Sequence, residues 1–209
     1  MLKTVRYAAF ALIAVMALAW AVSWWRGGTI ARMGLDGLGL SIPGAVSVGG
    51  PFALVDSAGT TVTETTYRGR WMLVFFGYTY CPDVCPTELQ TISAALENLG
   101  PLAAKVVPIF ITIDPERDTP QVLKAYMANF DPGFLALRAA SPEQLATLAK
   151  DYKVYYKKVE GSTPTSYTMD HSAGSYVYDT RGQLRLYTRY GSGAAALAGD
   201  IRELLKQGS

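Results

Sequence analysis

Cys81 and Cys85 are the only cysteines of this 209-residue chain, and His171 is its only histidine. The cysteines lie in Cys81-Pro82-Asp83-Val84-Cys85-Pro86, behind an apolar run and ahead of a segment with helical periodicity. Two thiols at such a turn can exchange an electron pair, hold a soft metal ion between them, or form a purely structural bridge. Proline is favoured at the first helical position, so Pro86 predicts that Cys85 sits at or near the N-cap. There the helix dipole favours its thiolate, making Cys85 both nucleophile and ligand.

Two thiolates underfill most metal sites, and the only imidazole available as a third ligand is His171, in Asp170-His171-Ser172. Two sulfurs and a nitrogen suit copper: soft thiolates favour Cu(I), and imidazole keeps Cu(II) accessible. Zinc would want a fourth ligand, which water could supply. Calcium and magnesium want oxygen ligands and are excluded here. Blander readings stand beside these. A lone histidine can be an ordinary satisfied polar residue. Asp83 reads as a solvated loop residue rather than a ligand, and Asp114 and Asp118 as turn and cap residues, with Arg117 pairing with one of them.

Half of the residues are apolar and 17% are charged, enough to bury a real core. The net charge is +2, but Lys3, Arg6 and Arg26 belong to the N-terminal segment; without them 16 basic residues face 17 acidic ones. That balance offers no basic stripe, which excludes nucleic acid as a partner. Two cysteines are too few for a closed four-cysteine zinc site or a disulfide framework.

The elements that must position the three residues follow from periodicity. Residues 52–55 and 61–63 read as a hairpin across Ser57-Ala58-Gly59. Residues 71–76 and 106–113 read as strands covered on both faces. A helix is expected from Pro86, with Glu88 as a capping acid and Leu89, Ile92, Leu96 and Leu99 at helical spacing, closed by Gly100-Pro101. Further helices are expected over 121–130, from Ser141 to about 151, and over 194–206. Strands are expected over 134–137, 154–156, 175–178 and 184–187. The order predicts an α/β sandwich around a mixed sheet.

Ahead of this, residues 7–25 carry only one plainly polar residue, Ser23. As a helix they would span ~28 Å, enough for a hydrocarbon core of about 30 Å. Lys3 and Arg6 precede the run, Arg26 follows it, and Trp20, Trp24 and Trp25 cluster at its far end as interface anchors do. The competing reading is a cleaved signal peptide with Ala17-Leu18-Ala19 as its site, but the apolar run continues past that point. The expected organisation is a membrane anchor over 1–26, a glycine-rich tether over 27–48 and a globular domain over 49–209.

Four motifs in this order carry a resemblance: Gly50-Pro51-Phe52 with Leu54; residues 75–87 around the cysteines; Asp114-Pro115-Glu116-Arg117-Asp118-Thr119-Pro120; and Asp170-His171-Ser172-Ala173. The chain resembles the Sco/SenC family of membrane-anchored copper proteins from Gly49 to the C-terminal helix. The resemblance implies a thioredoxin-like three-layer sandwich, here with three residues between the cysteines instead of two. It implies one copper ion, Cu(I) or Cu(II), held by Cys81, Cys85 and His171, with Asp170 orienting the histidine ring. It also implies a copper chaperone for the copper centre of a terminal (cytochrome c) oxidase. The expected partners are the copper-accepting oxidase subunit and another periplasmic copper carrier or thiol reductase. No arginine- and serine-rich transit segment precedes the apolar run, so the expected location is a bacterial inner membrane, single-pass, with the domain in the periplasm. The alternative function is a thiol–disulfide reductase acting through Cys81 and Cys85 to keep the oxidase cysteines reduced. A redox sensor and a peroxidase fit less well, the latter because it leaves the second cysteine unexplained.

Overall fold

The computed structural model describes residue 16 and residues 48–208, apart from 132, 164 and 165. The chain divides into two units, Met1–Val46 and Ser47–Ser209, and the fold described is that of the second. The expected anchor and nearly all of the expected tether therefore lie outside the described residues. Among the described residues no helix is long and apolar enough to cross a membrane.

A seven-stranded mixed sheet forms the body. Its strands are β1 (Ala53–Asp56), β2 (Thr61–Thr63), β3 (Trp71–Gly77), β4 (Val106–Thr112), β5 (Leu135–Arg138), β8 (Ser175–Tyr178) and β9 (Leu184–Thr188), in the order β2-β1-β5-β4-β3-β8-β9. The central trio β5, β4 and β3 is parallel, and the strands on either side run antiparallel. Every residue of β3 and β4 is buried, as their unbroken apolar sequence requires of strands covered on both faces. Successive side chains of β3 take opposite sides. Phe76 meets Tyr152 and Tyr176, while Phe75 meets Phe110 and His171.

Four helices cover the sheet: α1 (Val84–Leu99), α2 (Pro120–Met127), α3 (Pro142–Tyr152) and α4 (Ala194–Gln207). Helix α1 buries Leu89, Ile92, Leu96 and Leu99, the stripe its periodicity predicts, and packs against α4. Ser141 caps α3 by accepting from the Gln144 N–H, and Thr119 caps α2 by accepting from the Val122 N–H.

Two local expectations are corrected. Helix α1 starts at Val84 with Asp83 as N-cap residue, so Cys85 and Pro86 both lie within its first turn. Proline is compatible with any position there, because the first-turn N–H groups have no intrahelical acceptor. Glu88 is not a capping acid: it is buried and accepts from the Ser175 hydroxyl at 2.8 Å. The sequence reading also omits a strand. Tyr167–His171 forms β7, paired antiparallel with β6 (Tyr156–Glu160) in a two-stranded ribbon separate from the main sheet.

Candidate metal centre

The cysteine loop leaves the C-terminal end of β3 and enters α1. Gly77, the last residue of β3, has no room for a side chain: a Cβ there would lie 2.8 Å from the Cys85 sulfur and 3.0 Å from Phe110 and Phe75. The missing side chain lets Cys85 seat directly on the sheet, where it is fully buried. Cys81, in the turn ahead of the helix, is half-buried. The N–H of Cys85 donates to the Cys81 sulfur at 3.3 Å, and both residues are free thiols.

His171 comes from the other direction, as the last residue of β7. Its Nδ1 lies 2.8 Å from the carbonyl oxygen of Ser172. A carbonyl can only accept, so Nδ1 carries a proton, and Nε2 is the nitrogen turned towards the sulfurs, the one whose lone pair a metal ion would take. That nitrogen sits 3.5 Å from the Cys85 sulfur. Phe75 and Tyr78 meet the ring edge-on, at centroid distances of 6.3 and 5.8 Å. The expected orienting role of Asp170 is not what the structure has. Asp170 is exposed, opposite Lys157 in the ribbon register, because adjacent residues of a strand point to opposite faces. The carbonyl of Ser172 holds the ring instead.

Cys81, Cys85 and His171 thus offer two sulfurs and one nitrogen, all within 4.8 Å of one another. A cleft of about 290 Å³ opens beside them, walled by Tyr78, Pro82, Val84, Met169 and Ala173. Asp83 stays exposed and outside the donor cluster, in contact with the Thr87 hydroxyl at 3.4 Å.

The acidities of the two thiols are the reverse of the simple dipole expectation. The Cys85 thiol donates to the Cys81 sulfur, which holds the Cys81 pKa far below the usual thiol value; His171 and the N–H groups of Cys85 and Asp83 act in the same direction. That same proton-sharing pushes Cys85 up, and its burial adds to the rise. The helix N-terminus therefore serves the sulfur in front of it, Cys81, while Cys85 within the first turn is too thoroughly desolvated to ionise first. A half-buried thiolate, a thiol whose proton a soft cation can displace and an imidazole nitrogen fit copper by donor chemistry.

Three residues that read from sequence as turn and cap residues, with Arg117 pairing with an aspartate, also shape the site. Asp118 is fully buried and accepts from the N–H and hydroxyl of Thr79, at 3.1 and 2.6 Å, and from the Thr112 hydroxyl at 2.5 Å. Arg117 pairs with Asp114 and reaches Tyr167 on β7. The one signal for them in the sequence is the motif that runs from Asp114 to Pro120.

Comparison with known proteins gives a consistent result. The SCO1/SenC family model matches residues 41–206. Protein SCO1 homolog 1, mitochondrial, of Arabidopsis thaliana is 41% identical over 135 residues, which are 64% of this chain and 40% of that protein. An SCO2-like protein of Rickettsia prowazekii is 39% identical over 139 residues, 66% of this chain and 67% of its own length. Among solved structures, Bradyrhizobium japonicum ScoI with copper bound is 42% identical with a TM-score of 0.69, covering 75% of this chain and 99% of that one. Yeast Sco1 with copper bound is 33% identical with a TM-score of 0.72, covering 78% and 91%. Matched by the family model from ahead of β1 to the last turn of α4, and sharing the fold of members from bacteria and yeast, the chain belongs to the SCO1/SenC family.

Proposed function

We propose that this protein is a copper carrier that binds one ion, Cu(I) or Cu(II), through Cys81, Cys85 and His171 and passes it on by ligand exchange. The observation that carries the reading is the convergence of two sulfurs and one imidazole nitrogen within 4.8 Å from two separate elements. Copper bound in the structures of Bradyrhizobium japonicum ScoI and yeast Sco1 supports it. Copper is cargo here. Cys81, reachable from the cleft, is the ligand an incoming thiolate replaces first; fully buried Cys85 keeps hold until then. The acceptor is the copper-binding subunit of a terminal (cytochrome c) oxidase, reached from the periplasmic face of a bacterial inner membrane, with the apolar run over 7–25 as a single-pass anchor.

A second reading is favoured by one observation, the split acidity of the thiols. A half-exposed Cys81 thiolate is suited to attack a disulfide of the target, releasing one target thiolate and forming a mixed disulfide. Cys85 then attacks the Cys81 sulfur, releasing the second target thiolate and leaving a Cys81–Cys85 disulfide, so two electrons pass to the target. In that scheme His171 is no ligand and acts only by helping to keep Cys81 ionised. The test is titration of the full chain, its thiols reduced beforehand, with Cu(I) and separately with Cu(II), comparing wild type with His171→Ala and with Cys81→Ser, Cys85→Ser. The carrier reading predicts one ion bound by wild type, weakened Cu(II) binding without the imidazole, and neither ion bound without the thiols. Unchanged copper affinity in His171→Ala alongside full disulfide reductase activity would favour the reductase.

A further inference from the structure

No strand is shared by the two halves of the site. The cysteine loop springs from the main sheet, whereas β6 and β7 form a ribbon outside it, so the position of His171 depends on what pins that ribbon down. Two consecutive residues between β4 and α2 hold the two halves. Asp118 takes the cysteine side: it binds Thr79, two residues before Cys81, and Thr112 at the end of β4. Arg117 takes the histidine side. Its Nη1 donates to the Tyr167 carbonyl at 2.9 Å, and its guanidinium carbon lies 3.5 Å over the Tyr167 ring and 4.8 Å from the ring of Tyr80.

One carboxylate locks the arrangement. Arg117 Nε donates to Asp114 Oδ2 at 2.5 Å, and the Tyr167 hydroxyl donates to Asp114 Oδ1 at 2.9 Å. Asp114 is itself buried, and its N–H donates to the Thr112 hydroxyl at 3.0 Å. Tyr167 and His171 are the two ends of β7, four residues apart and so on the same face of the strand. A planar guanidinium stacked on Tyr167 and forked between its carbonyl and Asp114 fixes the strand in both height and rotation, as a lysine could not.

We propose that Arg117 is a positioning residue of the metal centre: through Tyr167 it holds β7 so that His171 faces the two sulfurs. The inference rests on the copper-carrier reading. Its consequence differs for the two oxidation states. Two thiolates satisfy Cu(I), whereas Cu(II) relies on the added nitrogen, so loosening β7 weakens Cu(II) binding and spares Cu(I).

The test uses the full chain in detergent, titrated with Cu(I) and Cu(II) against competing chelators, with the Cu(II) absorption spectrum recorded. Arg117→Ala is expected to lower Cu(II) affinity by on the order of tenfold or more, the usual scale for residues that orient a ligand. Its Cu(II) spectrum should shift towards that of His171→Ala, and its Cu(I) affinity should stay at the wild-type value. Arg117→Lys should not rescue. If Arg117→Ala does not fold, Tyr167→Leu removes the stacked ring, leaves the Arg117–Asp114 pair, and should show the same split. A wild-type Cu(II) affinity and spectrum in the folded variant, or equal weakening of both ions, overturns the inference while the carrier reading stands. Retention of both ions by Cys81→Ser, Cys85→Ser overturns the carrier reading, and this inference with it.

Discussion

The Cys85 sulfur and His171 Nε2 lie 3.5 Å apart although 86 positions separate them in the chain. Both lean on the same face of β3, where His171 meets Phe75 edge-on and Cys85 fills the space over Gly77. The sheet is the common reference for the sulfur and the nitrogen, and its close fit beneath Cys85 is open to test.

Gly77→Ala places a Cβ 2.8 Å from the Cys85 sulfur and 3.0 Å from Phe110. Strand and helix backbones are both fixed there, so the methyl overpacks the contact, at a cost of about 1–3 kcal/mol. Urea unfolding of the copper-free protein should show a lower midpoint with an unchanged slope. The displaced sulfur should also weaken Cu(I) binding. A variant with wild-type midpoint and affinity would mean that Cys85 does not rest on the strand.

Thiol reactivity should follow the split in acidity. Proton donation by Cys85 keeps Cys81 ionised well below the usual thiol range, whereas sharing that proton and burial hold Cys85 up. Iodoacetamide at about pH 6, below the ordinary thiol value of roughly 8.5, should therefore modify Cys81 first. Peptide mapping after brief labelling identifies the modified residue. Preferential labelling of Cys85 would reverse the assignment of the two thiols.

Stability should depend on pH through buried carboxylates that are not themselves ligands. Burial raises the pKa of Glu88, partly offset by the Ser175 hydroxyl, and burial likewise raises Asp118 against the hydroxyls of Thr112 and Thr79. A raised carboxylate binds its proton more tightly folded than unfolded. Its contribution is therefore fully present below the unfolded pKa and is lost as pH rises through the folded one. Asp179 has the opposite sign. Burial pushes it up, but the N–H groups of Gln183 and Arg181 and the Arg185 side chain outweigh that and leave it lowered. Its stabilisation is present above the unfolded pKa and is lost as pH falls through the folded value. The lowered Cys81 thiol has the same sign as Asp179 and opposes the two raised carboxylates, so the contribution of Glu88 is isolated by comparison with Glu88→Gln. The wild-type melting temperature of the copper-free protein should gain on that of the variant as pH falls from 7 to about 5. A difference that shrinks over that range would contradict the sign for Glu88.

How far the sequence reveals this site depends on how locally each part is specified. The apolar runs of β3 and β4, the stripe of α1 and the Ser141 cap are short-range patterns, and each element forms where its pattern lies. The three donors were legible because each residue type is so scarce in the chain. Strand β7 was not legible: its sequence Tyr-Thr-Met-Asp-His mixes polar and apolar residues, and it is paired only with the largely exposed β6. Its alternation of inner Tyr167, Met169 and His171 with exposed Thr168 and Asp170 rests on a single buried apolar residue, too little to mark a strand. The grip of Arg117 on Tyr167 spans 50 positions and that of Asp118 on Thr79 spans 39. Contacts at that separation are set by the sheet order, so both residues look like ordinary turn residues until the chain is folded. The split in thiol acidity was hidden for a related reason: a helix start two residues ahead of Pro86 takes Cys85 into the first turn and leaves Cys81 as the sulfur before the helix.

The central claim is that Cys81, Cys85 and His171 bind copper together, and X-ray absorption at the copper edge tests it most directly. The full chain loaded with one equivalent of Cu(II) should show two sulfur scatterers and one imidazole nitrogen in the inner shell. The imidazole signal should vanish in His171→Ala, and the sulfur signal in Cys81→Ser, Cys85→Ser. A shell of nitrogen and oxygen alone in the wild type, or a spectrum that neither variant changes, would contradict the account.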